Sequence, residues 1–340
     1  MSNFLNERIS ALSPYTPGEQ PKDMEYIKLN TNESPFPPSK LGIELAMGGA
    51  NISHLYPDPD CTELTKAVAE FIGVNKENVI MVNGSDEVLN FAFMAYCDDK
   101  TPAVFADITY GFYKVFAALN GVPTKIIPLK ADFSIDIDDY IKENGTIFIA
   151  NPNAPTGLLL SLSEIEKLIS SNPNRVVVID EAYVDFGGIS AVKLIEKYDN
   201  LLVTQTFSKS RSLAGARLGF GVASKKIIDD LMRIKYSTNP YNVNRASAGL
   251  GLGAILDEEY FTKQKLIELG FSVTDSKANF LFAKTDKISG KELYLKLKEN
   301  GVLVRHFDSP RISDYIRITI GSREQMQKFI EKTTKILEEI

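Results

Sequence analysis

The segment TFSKSRSLAGARLGFG, residues 204–219, contains the first residues that could carry out chemistry. It places Lys209 between two serines and eight residues before Arg217. A lysine in a polar loop is ordinarily a solvated surface group, so this segment alone indicates no particular chemistry. Its meaning depends on which other polar groups the fold brings to the same place.

Polar residues follow four short apolar runs of the kind that form buried strands. VIMV (79–82) precedes Asn83-Gly84-Ser85, and VVVID (176–180) ends in Asp180. TIFIA precedes NPNAPTG (151–157), and LLVTQT precedes Phe207-Ser208-Lys209. Ligands of an open parallel sheet bind beyond the carboxyl ends of its strands. The sequence therefore predicts one site that contains a helix start suited to phosphate, a carboxylate, an amide-rich turn and a lysine.

Pyridoxal phosphate is a cofactor that requires this combination of groups. It needs a lysine for its aldehyde, an acid opposite the ring nitrogen, and several donors for its phosphate. Lys209 and Asp180 would supply the first two groups. Ser208 and Arg217 would complete the phosphate cup, the arginine through a forked, charge-assisted contact.

Composition excludes several other classes of protein. The chain has 340 residues, 44% of them hydrophobic, and a formal charge of −6 without a basic cluster, which argues against a nucleic-acid surface. Two cysteines and two histidines at wide spacing predict no metal site. The N-terminal stretch has no apolar core typical of a secretory signal, and we expect a cytoplasmic protein.

The order of predicted elements indicates an α/β fold with two parts. Apolar strands alternate with helices such as SLSEIEKLISS, whose Ser161 and Glu164 form a capping-box pattern, and this order predicts a mostly parallel sheet covered by helices on both faces. Ser85 is expected to cap the helix that follows VIMV. GLGLGA (249–254) follows no strand, so it is interpreted as helix packing rather than as a nucleotide loop.

After about residue 260 the pattern becomes α+β, with strand-like FSVTDS, NFLFAK, VLVRHF and YIRITIG. We predict three parts: an N-terminal arm (1–29) that joins the small domain, a large cofactor domain (30–245), and a small C-terminal domain (246–340).

Eleven motifs, in matching order over almost the full length, resemble the fold-type I pyridoxal-phosphate aminotransferases. The similarity is greatest to their histidinol-phosphate aminotransferase subgroup. The motifs are LNTNESPFPPS, YPDP, NGSDE, TYGFY, NPNAPTG, VVVIDEAY, FSKSRSLAGARLGF, PYNVN, NFLF, GVLVRHF and YIRITIGSREQM.

The resemblance implies a role for each matching residue. Lys209 would form the Schiff base, Asp180 would pair with the ring nitrogen, and Tyr183 would bond the ring hydroxyl. Tyr110 would stack on the ring, and Tyr56 would reach the phosphate of a neighbouring subunit in a homodimer with shared active sites. The implied phosphate ligands are Gly84, Ser85, Asp86, Ser208 and Arg217. Asn32 and Arg317 would contact the substrate.

The sequence departs from the family pattern at three positions. Ala154 stands where the family usually has an asparagine that bonds the ring oxygen, so Tyr183 would carry that bond alone or Asn153 would move in. Ile108 replaces a proline, and Pro37 replaces a common glycine.

The resemblance implies amino transfer by a ping-pong mechanism, with histidinol phosphate and glutamate/2-oxoglutarate as the substrates. Arg305 and Arg317 lie in two strand-like segments that could pair and direct both side chains into one cleft, where Tyr15 could add a hydroxyl to a phosphate. Three alternatives stay open: a threonine-phosphate decarboxylase, a broad aromatic aminotransferase, and a catalytically idle protein that binds a phosphate ligand.

Overall fold

The structure is a computed structural model, and it describes residue 2 and residues 4–257, 278–285, 287–319, 321 and 323–339. Its strands are β1 (Ile27–Lys28), β2 (Val79–Val82), β3 (Ala103–Ala106), β4 (Thr124–Ile127), β5 (Thr146–Ala150), β6 (Val177–Asp180), β7 (Leu201–Thr206), β8 (Gly219–Ala223), β9 (Phe280–Ala283), β10 (Val302–Leu303), β11 (Arg305–His306) and β12 (Ile316–Thr319). Its helices of four residues or more are α1 (Glu7–Ser10), α2 (Lys40–Ala50), α3 (Thr62–Ile72), α4 (Ser85–Tyr96), α5 (Phe112–Asn120), α6 (Ile137–Ile141), α7 (Leu162–Ser170), α8 (Lys225–Thr238), α9 (Arg245–Leu256), α10 (Gly290–Glu299) and α11 (Arg323–Glu338), together with a four-residue 3₁₀ turn, Ala191–Leu194.

A seven-stranded sheet occupies the centre of the larger part, in the order β2-β8-β7-β6-β5-β3-β4. Strand β8 is antiparallel to β2 and β7, and the other pairs are parallel. Every residue of β2, β3, β5, β6 and β7 is buried. The four apolar runs VIMV, TIFIA, VVVID and LLVTQT are therefore strands of one mostly parallel sheet, as predicted.

Helices cover both faces of this sheet. Alternate residues of each strand point to opposite sides, so Val79 and Met81 join one apolar cluster while Ile80 and Val82 join another. Helices α3, α7 and α9 contribute to the first cluster, and helices α4, α5 and α8 contribute to the second. The prediction of a sheet covered on both faces is confirmed.

Of the two helix starts for which the sequence predicts a capping residue, one has the expected cap and the other does not. The capping box of α7 is present, with Ser161 and Glu164 bonding each other's backbone. The expected cap of α4 is wrong, because the helix begins at Ser85 itself and the residue before it, Gly84, has no side chain to cap with. Ser85 lines a cavity instead.

The glycines of α9 let this helix pack closely against α2. A Cβ added at Gly253 would lie 2.2 Å from the Cα of Gly42, and one at Gly249 would lie 2.7 Å from the carbonyl carbon of Leu45. The interpretation of GLGLGA as helix packing is confirmed. Helix α9 packs against α2 and α3, although the predicted division assigns it to the small domain, and the domain boundaries stay a prediction.

The C-terminal part contains a second sheet, with the antiparallel order β11-β12-β9. The segment VLVRHF divides between two sheets, because β10 pairs in parallel with β1 from the N-terminal segment whereas β11 pairs with β12. Leu29 of the N-terminal segment also packs in the apolar cluster of this part. The strand predicted in FSVTDS lies outside the described residues. Within the described ranges, no helix is long and apolar enough to cross a membrane.

Candidate active site

Two adjoining cavities lie at the carboxyl ends of the parallel strands. The first has a volume of about 320 Å³, and the second, on the side of the C-terminal sheet, about 450 Å³. Both are lined by Thr31, Tyr110, Ala154, Tyr183 and Lys209. The first cavity is further lined by Glu33, Ser85, Asp86, Ala150, Pro152, Asp180, Ala182, Thr206, Ser208, Ala214, Gly215 and Arg217. The fold thus brings the predicted lysine, carboxylate and phosphate groups to one place.

One end of the first cavity is suited to a phosphate group. The first turn of α4 directs backbone N–H groups and the positive end of its dipole there, beside the hydroxyls of Ser85 and Ser208 and the guanidinium of Arg217. The chain enters α4 through Gly84, whose φ is +72° and where an added Cβ would lie 2.9 Å from Arg217 Nη2. A larger residue at this position would therefore push into the cup.

Asp86 contributes to this end through its neighbours. Its Oδ2 accepts a bond from Arg217 Nη2 at 3.3 Å, and its Oδ1 accepts one from the Tyr110 hydroxyl at 2.7 Å. The Asp86 carboxylate therefore orients Arg217 and the Tyr110 ring. The group that Asp86 presents to an anion is its backbone N–H at the helix start.

Asp180, at the end of β6, lies deep in the first cavity and is only 4% exposed. Its Oδ2 accepts a bond from the Tyr113 hydroxyl at 3.1 Å, and its Oδ1 accepts one from the N–H of Ala182 at 3.3 Å. Burial raises the pKa of Asp180 to about 7. A cationic ring nitrogen is the kind of partner that would favour its ionised form.

Lys209 lies where the two cavities meet. Its Nζ donates to the carbonyl oxygen of Thr31 at 3.2 Å and lies 5.6 Å from the centre of the Tyr183 ring. The Tyr183 hydroxyl accepts a bond from Asn32 Nδ2 at 2.7 Å, while Asn32 Oδ1 accepts one from the Thr319 hydroxyl at 2.8 Å. A residue of the C-terminal sheet therefore positions the tyrosine beside the lysine.

The side chains of Asn153 and its neighbour Ala154 lie in different surroundings. The Asn153 amide donates to the carbonyl oxygen of Ile108 and to the Thr156 hydroxyl, each at 3.1 Å, and accepts from the Thr109 hydroxyl at 2.8 Å. Asn153 is not among the residues that line the two cavities, whereas Ala154 lines both. The side chain that faces the ring position is thus a methyl group.

The second cavity contains the predicted substrate residues Tyr15, Asn32, Arg305 and Arg317. Arg305 of β11 and Arg317 of β12 are directly opposite each other in the antiparallel pair, so the prediction that their strands pair and face one cleft is confirmed. Arg317 Nη2 donates to the Asn30 carbonyl at 3.3 Å. Its buried Nε has no hydrogen-bond partner among the described residues, and burial lowers the pKa of this guanidinium. An anionic ligand would satisfy that donor.

Tyr56 lines neither of these cavities and is 76% exposed. Its ring stacks on that of Tyr241 with centroids 4.5 Å apart, and its carbonyl accepts a bond from Arg245 Nη2 at 2.5 Å. The side chain is held outward, away from the cavities of its own chain.

Sequence reasoning missed several residues of the site. One is Tyr113, within the motif TYGFY, whose hydroxyl donates to Asp180. Another is Thr206, the last residue of an apolar run, whose hydroxyl donates to the Ser208 hydroxyl at 2.9 Å. Thr31 and Glu33 lie beside Asn32 in the N-terminal motif and line the first cavity. The signal available in the sequence was that both residues flank Asn32 in the motif LNTNESPFPPS.

Comparison with known proteins agrees with this geometry. The sequence profile of the family "Aminotransferase class I and II" matches residues 24–332, and the chain belongs to this family. The resemblance stated from the motifs is therefore confirmed, as is the fold class.

Individual relatives share most of the chain. A histidinol-phosphate aminotransferase of Brachyspira hyodysenteriae is 50% identical, with 99% of each chain covered, and one of Clostridium acetobutylicum is 46% identical, with 98% of each covered. The structure of a histidinol-phosphate aminotransferase from Sinorhizobium meliloti in complex with pyridoxal-5'-phosphate has a TM-score of 0.89 at 19% identity, covering 100% of this chain and 99% of the other. At that identity the structural likeness shows the fold.

Proposed function

We propose that the protein transfers the amino group between histidinol phosphate and 2-oxoglutarate, with pyridoxal 5'-phosphate as its cofactor. The names of relatives at 46–50% identity support this substrate pair. The observation that carries the proposal is the pair Arg305 and Arg317, which face each other across two strands in the cavity that adjoins Lys209.

The donors of the first cavity fit the cofactor. The α4 N-terminus, Ser85, Ser208 and Arg217 would hold its phosphate, and Asp180 would lie opposite its ring nitrogen. Gly84 leaves space for the phosphate, and a Cβ at this position would reduce that space. Tyr110 would pack on the ring, and Tyr183 would donate to its oxygen. When bound, the cofactor withdraws electrons from the substrate Cα.

The chain's own residues supply the remaining chemistry. Lys209 Nζ would hold the cofactor and then, as a free amine, take the proton from the substrate Cα and return it on the other side of the transfer. Its contact with the Thr31 carbonyl keeps the amine at the junction of the cofactor and substrate cavities. The bond from Asn32 fixes the Tyr183 ring beside it.

The substrate cavity must accept two different anions in alternate half-reactions, a phosphate and a carboxylate. A guanidinium binds either with two parallel hydrogen bonds, which a lysine does not. Arg317 would bind the carboxylate of glutamate, and Arg305, with the Tyr15 hydroxyl, would bind the phosphate of histidinol phosphate.

Kinetics with a substrate panel test this assignment. We expect Arg305→Ala to lower kcat/KM for histidinol phosphate about tenfold to a hundredfold, since a hydrogen bond to a charged group contributes about 1.5–3 kcal/mol. Activity with phenylalanine should change little. Arg233→Ala is the matched control, because Arg233 is exposed on α8 and lines neither cavity.

Each alternative activity gives a different result. Equal losses for phosphorylated and unphosphorylated donors would remove the phosphate role of Arg305. Release of carbon dioxide from threonine phosphate would indicate a decarboxylase instead. If Lys209→Ala kept the yellow, borohydride-reducible chromophore, the assignment of Lys209 as the residue that holds the cofactor would be wrong.

We also propose that two copies assemble as a homodimer that shares its active sites. Exposed apolar side chains lie on and after α2 and near both ends of α9: Leu41, Ile43, Met47, Ile52, Leu55, Tyr56, Tyr241 and Leu256. Exposed apolar side chains that form a patch typically mark interfaces. A two-fold contact here would direct each Tyr56 towards the phosphate end of the partner's site.

A further inference from the structure

Tyr113 and Asp180 form a hydrogen bond that is isolated from solvent. The tyrosine is 0% exposed and the aspartate 4%, and the hydroxyl donates to Oδ2 at 3.1 Å. The other carboxylate oxygen accepts the N–H of Ala182 at 3.3 Å. Each oxygen of Asp180 therefore has one donor from the protein.

Packing fixes the Tyr113 ring, and hence the direction of its hydroxyl. The edge of the ring meets Phe105 with centroids 5.7 Å apart, and Phe148 lies 5.9 Å away. Tyr110, one helical turn earlier in the chain, is perpendicular to it at 5.7 Å. Burial also raises the pKa of Tyr113, so the hydroxyl keeps its proton and stays a donor.

The charges around Asp180 oppose each other. The negative charge of Asp86 disfavours the ionised form of Asp180, whereas the positive charge of Lys209 favours it. The desolvation of Asp180 has a larger effect than either charge. In a buried site, a carboxylate stays ionised only when donors replace the water it has lost. The Tyr113 hydroxyl and the Ala182 N–H are the donors that the described residues provide.

We propose that Tyr113 is a positioning residue that keeps Asp180 ionised, so that the proton shared with the cofactor's ring nitrogen stays on the nitrogen. This inference rests on the proposed function, in which Asp180 faces that nitrogen. One proton is shared by two bases, the carboxylate and the nitrogen. Loss of the Tyr113 bond makes the carboxylate the stronger base, and the proton moves from nitrogen to oxygen without any other change in composition.

Pyridoxal phosphate labelled with ¹⁵N in its ring reports directly on the position of this proton. The label is bound to the wild-type protein and to Tyr113→Phe, Asp180→Asn and Tyr140→Phe, and the ¹⁵N chemical shift is measured together with kcat and KM. Tyr140→Phe is the matched control, because Tyr140 is 1% exposed and its hydroxyl has no hydrogen-bond partner among the described residues.

We expect the wild type and Tyr140→Phe to show a protonated ring nitrogen. In Tyr113→Phe the shift should move towards that of the neutral ring, and kcat should fall roughly tenfold to a hundredfold with KM nearly unchanged. A wild-type shift in Tyr113→Phe would overturn the inference and leave the cofactor assignment intact. A neutral nitrogen in the wild type, or an unchanged shift in Asp180→Asn, would overturn both.

If Tyr113→Phe does not fold, fluorotyrosine placed at position 113 gives the same test in the opposite direction. Fluorine makes the hydroxyl a stronger donor to Asp180, so the ring nitrogen should keep its proton to a higher pH than in the wild type. A ¹⁵N titration curve identical to that of the wild type would overturn the inference.

Discussion

Arg311 joins the two walls of the substrate cavity, and its removal should weaken substrate binding. It lies in the loop between β11 and β12, and its Nη1 donates to Asp107 Oδ2 at 2.6 Å. Its Nη2 donates to the carbonyl oxygens of Leu129 and Lys130, each at 2.8 Å. Asp107 and the neighbour of Arg311, Ile312, both line the cavity. Arg311→Ala should therefore loosen the loop from the sheet edge.

The structure sets the size of this effect. The side chains of Arg311 and Asp107 are 36% and 27% exposed, and ion pairs near the surface contribute about 0.2–1 kcal/mol. The two bonds to carbonyl oxygens add about 0.5–1.5 kcal/mol each at most, and exposure places them at the lower end of that range. The total is about 1.2–2 kcal/mol. If substrate binds only when the walls are joined, KM should rise about eightfold to thirtyfold.

Steady-state kinetics with histidinol phosphate and 2-oxoglutarate measure this change. Arg311→Ala, Asp107→Asn and the double variant form a cycle whose coupling energy should be about 0.2–1 kcal/mol. Lys226→Ala is the control, because its ion pair with Asp199 lies on the surface, far more exposed at 82% and 70%.

Affinity for pyridoxal phosphate should stay unchanged, because Arg311 does not line the first cavity. A KM within twofold of the wild type would refute the role of the loop. A parallel loss of cofactor affinity would show that the variant disturbs the whole sheet edge.

Three further results are expected. Ala154→Asn should lower the pH midpoint of the bound cofactor's absorption change, since the new amide can donate to the ring oxygen, and an unchanged curve would mean that this oxygen is already satisfied. In the cofactor-free protein, burial raises the pKa of Asp180 to about 7, so its contribution to the free energy of unfolding is full below about pH 4 and is lost as pH rises through 7. Asp180→Asn should therefore flatten the dependence of Tm on pH between about 4 and 7, and equal slopes would contradict this. Mixing Lys209→Ala with Tyr56→Phe subunits should restore activity beyond that of either variant, because one heterodimer site is then intact; no recovery would exclude shared sites.

Much of the site could be predicted because its residues follow strong local patterns. Asp180 ends one buried apolar strand and Lys209 lies three residues after the end of the next. Parallel strands end at one edge of a sheet, so the proximity of these two residues follows from the order of elements. Arg305 and Arg317 could be paired because their two segments look like adjacent strands, and the register places them opposite each other.

Contacts across the fold could not be predicted in this way. TYGFY marks a helix start, but whether Tyr113 reaches Asp180, 67 residues away, depends on how α5 packs on the sheet. The same holds for Arg311 and Asp107, which are 204 residues apart in the chain. Whether Asn153 or Ala154 faces the cavity depended on the path of a turn, which places Ala154 and not Asn153 among the residues that line the two cavities.

The sequence by itself determined which segments form helices and which form strands. It also determined which polar residues lie at the ends of the strands, and the family. Apolar periodicity, capping residues and glycines act within one or two turns of chain, so they can be read without a fold. Only the tertiary structure decided which buried groups share a hydrogen bond and how the segment VLVRHF divides between two sheets. Those outcomes depend on desolvation and packing between segments far apart in the chain, and no local pattern encodes the distance between two side chains that meet only after folding.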